Sequence, residues 1–439
     1  MVTFVYKCKR IFRLTVIFTC IFLSISYINR NPFYLKQRLL EKLNYKTDYK
    51  YPGSFVGYAH PYPSNESYCT FNYGLPHDFK YNDTDLTATP EIGKNSEYRI
   101  LYNVVESKYG GDLPGVTYAT HISAEFTNYI AEVARLWEGP ISVAAFAPHT
   151  DAGSILQVVN QLCYCLPDMS RVSLHLVFMK NLPPDLHNSD FSRPANCNVP
   201  DVEKITTFRS EYRDIAYPIN VCRNAARVSA DTKHILVSDI QLLPSEKLAS
   251  RFVEMLDKYR ISISANSKLV FVVPVFEVES YVEVPRNKAA LLSLLKTEHS
   301  VYFHRYMCFH CQKFPGIERW IEADSGSQVT PFMTTRREIP YQRWEPIYIG
   351  SHFEPLYSEA LSWEGLQDKM LQMLEMCLLD YKLVILDGAF LVHWPGIKKV
   401  KTYYETWRSK FEAENKRQYN KTLNTFLLKY KNKPRCQLQ

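Results

Sequence analysis

Glycine is scarce in this chain: 15 residues of 439, roughly half of ordinary usage, which argues against a multi-glycine loop cradling phosphates. Concentrated positive charge is missing as well. Lys plus Arg number 52 against 45 Asp plus Glu, a formal net charge of +7 spread over the whole length, whereas a nucleic-acid binder gathers its basic residues on one face; nucleic acid is excluded as a partner. No internal repeat is present. Hydrophobic residues at 46% and charged residues at 22% exclude collagen, coiled coil and bulk disorder. What the chain has in excess is aromatic side chains, 14% of residues with 31 Tyr, which suit a site that stacks on flat or sugar-like ligands. Its length suffices for two or three domains, or for one large α/β body with appendages.

The first thirty residues decide the compartment. Lys7, Lys9 and Arg10 precede an apolar run over 14–28 (LTVIFTCIFLSISYI), about 22 Å long as a helix. No small-x-small cleavage site follows it, so the run is expected to be an uncleaved signal anchor over 11–29 behind a cytosolic tail of residues 1–10, with a cleaved signal peptide as the rival reading. Arg30, Lys36, Arg38 and Lys42 nearly cancel the charge asymmetry that orients such an anchor. Orientation is therefore taken from what lies downstream. Three acceptor sequons, at Asn65, Asn82 and Asn420, and eleven Cys, nine of them beyond the anchor, fit the oxidising lumen of the secretory route. The odd number leaves at least one thiol unbridged.

Residues 30–95 are rich in Tyr, Pro, Asn and Asp with little periodicity and read as a stem. Residues 96–439 form the body. There, 141–147 (ISVAAFA), 172–179 (VSLHLVFM) and 235–238 read as buried strands, and 152–166 and 219–228 as helices between them. Strands alternating with helices imply an α/β fold with a mostly parallel central sheet. After Pro244 and Ser245 a further helical stripe runs through Leu248, Phe252 and Met255; 268–278 (KLVFVVPVFEV) is another strand, and 288–296 an amphipathic helix.

Chemistry concentrates at Asp239. KHILVSDIQLLPS places Ser238-Asp239-Ile240-Gln241 where an apolar strand runs out, the carboxyl end at which open α/β sheets bind ligands. A carboxylate there can hold a divalent metal against a diphosphate; the bland alternative is an Asp that caps the next helix or closes a turn. Four more stretches accompany it: YPINVCRNAAR (217–227), VVPVFEVE (272–279), WEPIYIG (344–350) and LDGAFLVHWPGIK (386–398). In order and approximate spacing the five together resemble the LARGE-type and β-1,4-glucuronyltransferase-type enzymes of glycosyltransferase family 49, over roughly 141–397.

The resemblance implies a GT-A fold, a single-pass type II Golgi membrane protein with a lumenal catalytic domain, a UDP-sugar donor, a glycan or glycoprotein acceptor, Mn²⁺, and inversion at the anomeric carbon. Carried across, Asp239 matches the first acid of the family's DxD-like metal motif and Gln241 stands where the family usually has Asp or Glu. An amide carbonyl ligates a hard cation more weakly than a carboxylate. His393 matches a late histidine ligand, which suits Mn²⁺ beside oxygen donors. Arg223 and Asn224 match an Arg-Asn step expected to contact the nucleotide or shape its pocket, where a planar guanidinium suits a diphosphate; a helix-surface Arg is the alternative. Glu345, Glu364 and Asp368 are the candidates for the base that takes the acceptor hydroxyl's proton, the last two in a segment, Gly365-Leu-Gln-Asp368-Lys369, that departs from the family's Gly-x-Gly-x-Asn-Lys. Trp363 and Trp394 are candidates for stacking on sugar, or else core. Gln241 also motivates a second reading, a catalytically silent lumenal GT-A-like glycan-binding or accessory protein. Outside these motifs, His304, Cys308, His310 and Cys311 suggest zinc, yet no second pair completes a structural site, so a disulfide to another Cys, or a free pair, is expected. Cys163-Tyr-Cys165 reads as disulfide material.

Overall fold

A computed structural model describes residues 62–92, 97–108, 113–197, 215–264, 266–323, 326–399, 408–430 and 434–436. The anchor expected over 11–29 lies outside them, and among the described residues no helix is long and apolar enough to cross a membrane. The chain opens with β1 (Thr70–Phe71), β2 (Leu86–Ala88), β3 (Tyr98–Glu106) and β4 (Val116–Ile122), followed by α1 (Tyr129–Leu136), β5 (Ile141–Phe146), α2 (Asp151–Cys165), β6 (Val172–Met179), α3 (Ile219–Val228), β7 (His234–Val237), β8 (Leu242–Pro244) and α4 (Leu248–Lys258). Its second half runs through β9 (Leu269–Val272), β10 (Val275–Val278), α5 (Lys288–Lys296), β11 (Ser300–Tyr302), α6 (Phe309–Gln312), α7 (Ile317–Glu322), β12 (Thr330–Thr335), β13 (Tyr348–Gly350), α8 (Met370–Leu378), β14 (Lys382–Asp387), β15 (Leu391–His393) and α9 (Ser409–Lys429).

Among the described residues an eleven-stranded sheet has the order β1-β3-β6-β5-β4-β7-β13-β9-β14-β12, with β2 on β3, and a four-stranded sheet has the order β11-β10-β15-β8. This is a mixed sheet, not the mostly parallel one expected. The β6-β5-β4-β7 heart is parallel, as is β9 with β14. But β3 lies antiparallel on β6, β12 on β14, and β13 inserts antiparallel to both β7 and β9. Strand–helix alternation reveals only the parallel units; edge strands and a three-residue insert have no crossover helix to announce them. Proline explains a second difference. The stretch 268–278 is two strands in different sheets, because Pro274 has no N–H to give a ladder.

Alternation in the heart of the large sheet feeds two cores. Tyr118, Val143 and Leu174 point into one with Ile155 and Leu156 of α2, whereas Ala119, Ala144, Phe146 and Val177 pack against Val221, Cys222 and Ala225 of α3 on the other face. Both faces are thus covered, which is why these strands read as continuous apolar runs. Phe146 and Phe271 are fully buried, each contributing about 1.5–3 kcal/mol.

Part of the stretch expected to be stem is built into the body. β1 and β2 pair with β3, and Cys69 is bridged to Cys163 at the end of α2. Cys165 pairs with Cys197, Cys308 with Cys311 and Cys377 with Cys436, while Cys222, buried on α3, is outside any disulfide. The C-x-x-C is therefore a local bridge, not half of a zinc site.

Candidate active site

Topology alone gathers the site. β4 runs parallel to β7 with Ala119 opposite Val237, so His121 and Asp239, two residues on, leave the sheet at the same carboxyl edge. β13 runs the other way beside β7, which brings its amino-terminal approach, Trp344-Glu345, to that same edge. In the small sheet His393 of β15 lies opposite Leu242 of β8, and Trp394 N–H donates to the Gln241 carbonyl at 3.2 Å. Gly388, between β14 and β15, has φ of +74°, and a Cβ there would lie 2.1 Å from the Gln328 carbonyl oxygen; no other residue makes that turn at so little cost.

Asp239 sits in a web of donors. Its Oδ1 lies 3.0 Å from Arg223 Nη2 and 3.1 Å from His121 Nε2, and its Oδ2 lies 3.8 Å from Lys369 Nζ. Tyr118 of β4 donates its hydroxyl to the main-chain carbonyls of Asp239 and Leu242 at 3.1 and 2.7 Å, which pins the turn. Burial alone would raise the Asp239 carboxyl, but Lys369, Arg223 and His121 hold it well below the usual carboxylate range.

Arg223 reaches the site from α3, where it is 1% exposed. Its second nitrogen donates to Asp368 Oδ2 and to Asn220 Oδ1 at 3.0 Å. Against the cost of burial, the two carboxylates keep the guanidinium charged. Asp368 is held below its ordinary range in return, Arg223 and Lys369 outweighing its burial. Leu366 and Gln367, just before it, both take left-handed backbone with φ of 60° and 54°, a conformation that favours glycine. The segment that departs from the family pattern thus carries its turn on two residues with side chains. Gly365 is needed for another reason: a Cβ would collide with the Asn415 side chain of α9.

The other base candidates differ sharply. Burial raises the Glu345 carboxyl to about 7, against the pull of Lys369. Glu364 is wholly buried and accepts the Tyr217 N–H at 2.9 Å. It supports the site from behind, since the Tyr217 hydroxyl lies 2.8 Å from His121 Nδ1. Asn224 is likewise structural: its amide donates to Tyr357 O at 2.8 Å and Glu359 Oε1 at 2.9 Å and accepts the Tyr357 N–H at 3.0 Å. His393 is buried, its Nδ1 without a hydrogen-bond partner among the described residues, and burial holds its ring neutral, with a pKa lowered to about 3 although a hydrogen bond to the Gly396 main chain pulls the other way. Trp363 is partly exposed beneath the Arg408 guanidinium, 4.3 Å from the ring centroid, whereas Trp394 packs on Tyr129, with centroids 5.9 Å apart. Among the described residues no group of three or more His, Cys, Asp or Glu is set to hold a metal ion.

The family model described as glycosyl-transferase for dystroglycan matches residues 115–431, a span that contains every one of these site residues. The chain belongs to glycosyltransferase family 49. It is a glycosyltransferase, and its relatives agree. It is 27% identical over 360 residues to beta-1,4-glucuronyltransferase 1 of Danio rerio, covering 78% of this chain and 82% of that one. The human beta-1,4-glucuronyltransferase 1 is 27% identical over 372 residues, 80% of this chain and 84% of the relative. Human xylosyl- and glucuronyltransferase LARGE1 is 22% identical over 333 residues, 72% of this chain and 37% of LARGE1. A solved structure of GalNAc-T7 with UDP, GalNAc and Mn²⁺ superposes with a TM-score of 0.32 at 9% identity, over 68% of this chain and 47% of that one, a likeness too remote to bear on fold or ligand.

At this candidate site His121, Tyr217 and His304 were not singled out by sequence. His121 had a signal, a polar residue at the carboxyl end of the apolar run that is β4. His304, read only as a candidate zinc ligand, feels Asp239 and Asp368, while burial keeps its ring neutral, with a pKa down to about 4.

Proposed function

We propose that this family-49 enzyme transfers a sugar from a UDP-sugar to a glycan or glycoprotein acceptor, with inversion, in a GT-A-type site that uses a divalent metal, Mn²⁺. Glucuronic acid is the donor sugar that the names of the relatives support. The observation that carries the reading is the pairing of two unlike carboxylates at one sheet edge: Asp239, kept ionised by Lys369, Arg223 and His121, and Glu345, which burial poises at about 7. Groups whose environments push their pKa values apart are the usual assignment of charge-bearing and proton-handling roles.

In donor chemistry, Asp239, His393 and Gln241 suit a metal. Asp239 Oδ1 is engaged by Arg223 and His121, which leaves Oδ2, whose cationic neighbour stands at 3.8 Å, as the atom for a cation; His393 is a neutral imidazole, and the Gln241 side chain, hydrogen-bonded to the Tyr129 hydroxyl, brings an amide oxygen. Two strong ligands and a weak one suit a cation whose remaining positions are filled by substrate phosphates and water. Once bound, the metal would neutralise charge on the departing diphosphate.

The chain's own residues do the rest. Glu345 accepts the proton of the acceptor hydroxyl; the hydroxyl oxygen forms the new bond to the anomeric carbon as the bond from that carbon to the diphosphate oxygen breaks on the opposite face, and the diphosphate leaves with the bonding electrons. Arg223 ties the Asp239 and Asp368 segments into one wall, and Lys369, beside Asp239, offers positive charge to the same diphosphate. The lumenal body would stand behind a stem and an anchor over 11–29 as a type II Golgi membrane protein, a placement supported by sequons at Asn65, Asn82 and Asn420 that are all exposed and by the four disulfides. A UDP-sugar panel with Mn²⁺, run on the secreted lumenal fragment, tests the reading. Transfer or hydrolysis of one donor, abolished by EDTA, is expected; inactivity toward every donor contradicts it.

A further inference from the structure

The Cys308–Cys311 bridge closes a short turn beside the candidate active site. Its two feet stand on the candidate active site. At one end the His304 carbonyl accepts the N–H groups of Met307 and Cys308 at 3.0 and 2.8 Å, and the His304 N–H is held by buried Glu277 at 3.2 Å. At the other, the Cys311 carbonyl accepts the Glu345 N–H at 2.8 Å while the buried Gln312 amide donates to the Glu345 carbonyl at 2.8 Å. Both main-chain groups of Glu345 are therefore fixed by residues 311–312. Between the feet the turn presents large rings to solvent: Tyr306 is 47% and Phe309 51% exposed. Cations flank them, with the Arg305 guanidinium 5.7 Å from the Tyr306 centroid and Lys313 Nζ 5.4 Å from that of Phe309.

We propose that this disulfide-closed turn is the acceptor-binding element of the enzyme, with Tyr306 and Phe309 stacking on the pyranose ring of the acceptor saccharide. It rests on the reading of Glu345 as the base. A base must lie within hydrogen-bond reach of the hydroxyl it deprotonates, so the segment that anchors Glu345 borders the acceptor, not the nucleotide. A pyranose has an apolar C–H face and a hydroxyl rim, which matches aromatic faces edged by Arg305 and Lys313. Bridging residues 308 and 311 pre-orders the turn, which lowers the entropy lost when the sugar docks.

Saturation-transfer NMR with 4-nitrophenyl β-xyloside, β-glucoside and β-galactoside on the intact lumenal protein reads ring contact without turnover. The parent is expected to saturate the pyranose protons of at least one glycoside, and the Tyr306→Ala/Phe309→Ala variant to lose that signal. The acceptor KM of the variant should rise roughly tenfold with UDP-sugar hydrolysis within about twofold of the parent, and Cys308→Ser/Cys311→Ser should raise KM in the same sense. No saturation by the parent, or saturation and KM unchanged in the double ring variant, overturns the proposal. Failure of the parent to hydrolyse any UDP-sugar contradicts the assigned reaction instead and leaves the binding result standing.

Discussion

Arg223 Nη2 lies 3.0 Å from Asp239 Oδ1, and the same guanidinium is paired with Asp368, so a single buried side chain on α3 ties the end of β7 to the segment before α8. Removing it would leave two carboxylates facing each other. Arg223→Met is expected to cost about 3–5 kcal/mol of stability, measured by urea unfolding at pH 7. The penalty should shrink as pH falls below about 4, because Asp239 and Asp368 are both held below the ordinary 3.8 and their stabilising contribution, full above that value, is lost as they protonate.

Glu345 supplies the pH dependence. With its carboxyl raised to about 7, the fraction able to accept a proton grows through neutrality, so transfer should climb with pH up to about 7 and then level. Glu345→Gln should lower the transfer rate by about 10²–10⁴-fold and abolish that limb, while Asp368→Asn, whose parent carboxylate is bound by Arg223, keeps it. Stability runs the other way. A carboxyl whose folded pKa lies above its unfolded 4.5 favours the fold below 4.5, and that contribution disappears as pH rises through 7. Glu345→Gln should accordingly melt above the parent at pH 8 and not at pH 4, as read by thermal denaturation.

Gln241 is a lever on the metal. Replacing its amide by a carboxylate adds a negative ligand for a hard cation, so Gln241→Glu is expected to bind Mn²⁺ more tightly in a calorimetric titration, with UDP present. Equal affinity would mean that residue 241 is not in the coordination set.

The lumenal placement predicts sugar on Asn65, Asn82 and Asn420, all of which are exposed. Digestion of the secreted protein with an amidase that removes N-glycans should lower its mass by three glycans, and each Asn→Gln variant should remove one of them. An unmodified protein from a secreting cell would count against the assigned orientation.

Much of this was legible in the sequence, for identifiable reasons. α3 and α5 have the bounds their apolar spacing implies, and Asp239 stands at a strand's carboxyl end because an apolar run ending in Ser-Asp leaves few other places for it. The mixed sheet was hidden. β13 is three residues long, and β1 and β2 lie in a Tyr- and Pro-rich stretch whose ties to the body, a ladder with β3 and a bridge from Cys69 to Cys163, are long-range and leave no local pattern. Among site residues, Glu364 and Asp368 are neighbours in sequence with equal claim as bases; only the fold shows one accepting the Tyr217 N–H and the other locked to Arg223, and leaves Glu345 as the candidate whose carboxyl is raised to about 7. The need for Gly365 was equally hidden, because what demands it is Asn415 on a helix fifty residues away in the chain.

Calorimetric titration of UDP into the lumenal protein, with and without Mn²⁺, tests the account at its centre. UDP should bind the parent markedly more tightly with Mn²⁺ than without it, and Asp239→Asn should lose that difference while keeping the parent's circular dichroism spectrum. UDP affinity that ignores the metal in the parent, or a metal effect undiminished in Asp239→Asn, would contradict it.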